Sequence, residues 1–107
     1  MTQQRVPLAG SHYEARESIE VVNPYDGQPV GSVPKCTAAD VDRGVAAARH
    51  VMQASPIAPH QRAEILDEAA RLLRERQEDF ARTIAVEAAK PLKTARVEAA
   101  RAVSTFQ

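Results

Sequence analysis

The sequence is short of the residues that ordinarily build a core or cradle a cofactor. It has no tryptophan, and two phenylalanines and two tyrosines are its whole aromatic content. The single cysteine, Cys36, excludes a disulfide framework and any multi-cysteine zinc or iron–sulfur site, and points to a reducing compartment. Glycine occurs only at positions 10, 27, 31 and 44, which leaves neither a dinucleotide fingerprint nor a phosphate-binding loop. A dominant charge is missing as well. Fourteen Lys and Arg balance fourteen Asp and Glu, so there is no basic footprint for nucleic acid or an anionic membrane, and no acidic tail. No apolar run approaches the roughly 18 residues of a membrane span, and residues 1–7 hold no apolar export segment. These absences read as a soluble, cytoplasmic protein.

What is present is mostly alanine. Of the 47 hydrophobic residues 20 are Ala, while Val, Leu, Ile and Phe together number 22. A chain of 107 residues supports one domain at most. Ordering it costs on the order of 100–200 kcal/mol in conformational entropy, which small side chains offset poorly. The composition therefore suggests a piece of something larger.

Residues 1–18 are polar, with no period of 2 or 3.6, and read as a mobile arm. Residues 19–23 and 28–34 are rich in β-branched side chains, and Asn23-Pro24-Tyr25-Asp26-Gly27 between them supplies a turn, so a β-hairpin is expected over 19–34. Pro29 cannot donate to a ladder, which assigns the second strand to an edge or to pairing from its other side. Thr37 and Asp40 have capping-box spacing and open a helix over 38–54, whose apolar positions Val41, Val45, Ala48 and Met52 share one face. After the break at Ser55-Pro56-Ile57-Ala58-Pro59 comes a stripe of Ile65, Leu66, Ala69, Leu72, Leu73, Phe80 and Ile84. A helix that long without caps is suspect in a small domain, and a break is expected near Gln77. Pro91 starts a last helix with Leu92, Ala95, Ala99, Ala102, Val103 and Phe106 on one side. Its pattern still runs at Gln107 without a cap, which reads as truncation. The expected architecture is a β-hairpin followed by three or four helices, with more than half the residues helical.

Chemistry-bearing residues are sparse. Cys36 lies between a strand and a helix N-cap, where a helix dipole can lower a thiol pKa, but no base accompanies it, and it reads as inert or merely oxidisable. His12, His50 and His60 are isolated from one another and read as solvated surface residues rather than metal ligands. Arg71, Arg74, Glu75, Arg76, Glu78 and Asp79 mix signs along an outer helix face. Glu87 and Lys90 flank the joint before Pro91 and read as structural.

Four stretches, in order, together resemble the N-terminal fifth of the aldehyde dehydrogenase superfamily over about residues 19–107. They are Asn23-Pro24-Tyr25-Asp26-Gly27 with Val30 and Val33-Pro34; Asp40-Val41-Asp42-Arg43 with Val45-Ala46-Ala47-Ala48-Arg49; Arg62 with Ile65-Leu66 and Leu73; and Glu87-Ala88-Ala89-Lys90-Pro91-Leu92 with Ala95, Glu98 and Arg101-Ala102. The family usually has Gly where this chain has Ala89. The resemblance implies an α/β parent enzyme, with residues 19–107 on the periphery of its cofactor-binding domain and residues 1–18 as an arm. It implies NAD- or NADP-dependent oxidation of an aldehyde to an acid through a cysteine thiohemiacetal, hydride transfer and thioester hydrolysis, in a homo-oligomeric parent. The family's transition-state Asn, Gly-rich cofactor segment, general-base Glu and nucleophilic Cys match no position in this chain, and Cys36 does not match the nucleophile's motif. No catalytic, cofactor-binding or metal residue is therefore assigned, and neither activity nor NAD(P) binding is expected of the chain alone. Some members hold a monovalent cation near this region, for which Glu98 is the nearest candidate carboxylate.

Two function classes follow. One is the N-terminal fragment of an aldehyde dehydrogenase, partnered by the remainder of that chain and a small aldehyde. The other is a freestanding helical interaction module descended from that segment, and the nucleotide sequence after the codon for Gln107 separates the two.

Overall fold

The computed structural model describes residues 2–107, in which strands β1 (Thr2–Gln3), β2 (Val6–Leu8), β3 (Ser11–Tyr13), β4 (Ser18–Val22) and β5 (Pro29–Pro34) precede helices α1 (Ala38–Ala54), α2 (Pro59–Glu75), α3 (Gln77–Ala88) and α4 (Leu92–Thr105). More than half of the residues are helical, as expected. The chain divides into two compact units, one of residues up to Val22 with Gln28–Pro56, the other of Asn23–Gly27 with Ile57–Gln107.

In the first unit β4 and β5 form the expected antiparallel hairpin, with Ile19 opposite Val33 and Val21 opposite Gly31. Of the two expectations for β5, an edge or pairing from the other side of Pro29, the edge is corrected: β1 pairs with β5 in parallel at Gly31 and Ser32, so β5 is the central strand of three, while Pro29 itself is paired with Val22 of β4. Pro29 is tolerated because it is the first residue of β5, next to the register shift at Val21 and Val22, and β1 reaches only Gly31 and Ser32. The reading of residues 1–18 as irregular is also corrected. β2 and β3 pair antiparallel with Val6 opposite Tyr13, through a two-residue turn in which Ala9 (φ 51°) and Gly10 (φ 82°) both have positive φ. That is the dihedral pattern of a primed hairpin turn, which matches the right-handed twist of the strands.

α1 begins where the capping box places it. Asp40 N–H donates to Thr37 Oγ1 (3.3 Å), and Thr37 N–H donates to Asp40 Oδ2 (2.8 Å). Its covered side, however, is not the apolar stripe. Asp40, Gly44 and Ala47 are partly covered, whereas Val41, Val45 and Met52 are 60%, 49% and 58% exposed. A Cβ at Gly44 would lie 3.0 Å from Leu8 Cδ1, so the helix meets the β2–β3 hairpin at its smallest residue.

In the second unit the Asn23–Gly27 turn is closed by Tyr25 N–H on Asn23 Oδ1 (2.9 Å) and Gly27 N–H on Asn23 O (2.8 Å). Pro59 occupies the first turn of α2, and Gln61 Oε1 accepts from Ala58 N–H (3.2 Å). The expected break near Gln77 falls at Arg76, whose φ of −103° and ψ of 15° interrupt the helix for one residue. α4 packs on both α2 and α3. The hydrophobic core is Ala70, Ala81, Ala95, Ala99 and Val103, with Ile84, Ala85 and Leu92 packed against the α3–α4 contact. Alanine lets the two helices approach closely but buries little area. Glu78 and Arg96 brace the same contact with paired bonds of 2.9 and 2.8 Å. The tail of the last stripe differs from expectation in that Phe106 lies beyond α4 and is 38% exposed.

Candidate functional site

The densest arrangement of chemically capable side chains lies where β5 passes into α1. Cys36, exposed and unpaired, lines a cleft of about 510 Å³ with Tyr13, Arg16, Glu17, Lys35 and Thr37. Four of the lining groups, Tyr13, Glu17, Lys35 and Thr37, are tied to neighbours. Lys35 Nζ donates to Glu17 Oε2 (3.0 Å), which makes an ion pair on the open surface. Tyr13 Oη donates to Asp40 Oδ2 (2.9 Å), and that oxygen also takes the Thr37 hydroxyl (2.8 Å) and the Thr37 N–H. The Thr37 amide, then its hydroxyl and then Tyr13 hold the Asp40 carboxyl below its ordinary range. The same bond to Asp40 raises the Tyr13 phenol, so it stays protonated and is no base. Arg43 lies 5.4 Å above the Tyr13 ring, close enough for a cation–π contact. The cluster thus fastens the β2–β3 hairpin to α1. No hydrogen bond reaches Cys36 Sγ among the described residues, and a thiol nucleophile needs a neighbouring base or a strongly stabilised thiolate.

The role of Tyr13 was not legible in the sequence, because 27 residues separate it from Asp40 and its own segment lacks a period. Asp40 was legible as a cap. His12, His50 and His60 are exposed, and no group of three His, Cys, Asp or Glu that could hold a metal occurs among the described residues. Glu98 lies on α4 with its Oε2 2.5 Å from Lys90 Nζ, so its nearest cation is an ammonium of its own chain. Glu87 and Lys90 flank the joint at Ala89, a left-handed residue that ends α3.

A nicotinamide dinucleotide sets its pyrophosphate on free N–H groups at a helix start behind a glycine turn. The described residues do not fit it. At α1 the Asp40 carboxylate already takes the Thr37 amide; α2 starts with Pro59, and α4 follows Pro91. Gly10 and Gly27 serve turns, Gly31 is inside β5, and Gly44 faces Leu8. Among the described residues no helix is long and apolar enough to cross a membrane.

Comparison with known proteins gives a consistent picture. Residues 12–107 match the model of the aldehyde dehydrogenase family. The chain is 38% identical over 91 residues to a 3-sulfolactaldehyde dehydrogenase of Priestia aryabhattai, covering 85% of this chain and 19% of that protein. It is 40% identical over 92 residues to malonate-semialdehyde dehydrogenase 1 of Bacillus licheniformis, with the same two coverages of 85% and 19%. Among solved structures, aldehyde dehydrogenase 21 of Physcomitrella patens, in complex with the product succinate, superposes on 99% of this chain with TM-score 0.91 and 30% identity. The chain covers 22% of that structure. An NADP-dependent glyceraldehyde-3-phosphate dehydrogenase of Bacillus halodurans, complexed with NADP, gives TM-score 0.88 at 30% identity, over 95% of this chain and 22% of its own. The chain thus spans about a fifth of the length of the curated relatives it matches.

Proposed function

The chain belongs to the aldehyde dehydrogenase family, and from that premise we propose that it is the N-terminal part of a cytoplasmic, homo-oligomeric enzyme that oxidises a small aldehyde to a carboxylic acid with NAD or NADP. Residues 19–107 form the outer part of the cofactor-binding domain in this reading. They supply no catalytic residue and no cofactor contact. Their role is to frame the dinucleotide-binding segments that the rest of the enzyme provides.

One observation carries the reading. Nearly the whole chain superposes on about a fifth of solved enzymes of this family. Hydride transfer needs a nucleophile, an oxyanion donor and a bound nicotinamide held at fixed mutual positions. In this reading those parts come from the rest of the enzyme and the chain contributes scaffold.

The test has two arms. Grafted in place of the matching 92 residues of the Bacillus licheniformis enzyme, this segment should leave a soluble, NAD(P)-reducing enzyme, with or without Cys36→Ser. The chain alone, mixed with NAD or NADP and short aldehydes, should give no reduced-nicotinamide absorbance above blank and no heat of dinucleotide binding. A folded but inactive graft would overturn the scaffold reading. Turnover by the isolated chain that vanishes on Cys36→Ser would overturn the absence of a nucleophile.

A second reading, the freestanding interaction module, is favoured by α1, which has no buried residue and shows Val41, Val45 and Met52 to solvent. An in-frame continuation after the codon for Gln107 encoding a cysteine-bearing catalytic domain would decide for the enzyme.

A further inference from the structure

We draw no further inference here: the strongest candidate, the cleft at the β5–α1 junction where Cys36 meets Tyr13, Arg16, Glu17, Lys35 and Thr37, rests on a lone cysteine, with no buried polar side chain among the described residues aimed into it.

Discussion

Two alanines sit where the backbone asks for glycine or asparagine. Ala89 ends α3 at φ 50° and ψ 35°, in the left-handed region that costs an L-residue about 1–2 kcal/mol. Ala9 takes φ 51° in the turn before β3, beside Gly10. Glycine relieves the strain but is freer in the unfolded chain, so the two effects partly cancel. Ala89→Gly is expected to stabilise the α3–α4 joint by about 0.5–1 kcal/mol, read as a rise in the urea midpoint of the helical circular dichroism signal. A fall in that midpoint would mean that the joint does not need the left-handed turn. The sequence marks Ala89 as unusual only through the family resemblance, and it marks Ala9 not at all. Ala9-Gly10 lacks the Asn-Gly or Asp-Gly signature of a primed turn, and its three-residue flanks are too short to show a period of two.

At the scale of the element, long segments were legible and their faces were not always so. The β4–β5 hairpin and α1 follow directly from β-branched runs, the Asn23–Gly27 turn and the Thr37–Asp40 box. The α1 stripe misled because periodicity reports which residues are apolar, not which side is covered. In this helix Gly44 makes the close approach to Leu8, and the valines stay outside. The candidate site is legible only in part, since Cys36 and Asp40 lie between a β-branched run and a capping box, whereas Tyr13 comes from the β2–β3 hairpin, whose short strands show no period. Among the helices, Glu78 ties α3 to α4. Arg96 is the main reason its carboxyl lies below the ordinary glutamate range, and Arg82 adds to the effect. A lowered folded value means that this contribution is present above the ordinary glutamate range and is lost as pH falls through the folded value. Helical signal should therefore drop on acidification below that range. Glu78→Gln should be less helical at neutral pH and show a shallower acid drop. Equal slopes for the two proteins would remove the ion pair from the account, as would a salt-independent difference between them at neutral pH.

For the molecule as a whole, the notable quantity is how much apolar side chain remains in water. Ile65, Val97 and Phe80 are 56%, 59% and 44% exposed, and the buried hydrophobic residues among those described are four alanines and a valine. Purified alone, the chain is expected to bind an apolar dye or self-associate, and to melt with weak cooperativity. A sharp transition of a monomer without dye binding would show that these faces need no cover. The alanine core also predetermines how the protein can change. A core of leucines can lose volume in small steps, but Ala81, Ala95 and Ala99 have only glycine below them and every other residue above. Ala95, with no exposed surface, should lose about 1–3 kcal/mol on Ala95→Leu through overpacking, against roughly 1 kcal/mol for Ala95→Gly from helix propensity. Ranking the two variants by urea midpoint tests this, and a tolerated leucine would reveal slack between α3 and α4. Mutational drift at this contact is one-sided: the helices can hardly be whittled apart, only wedged apart, so nearly every substitution is felt at once.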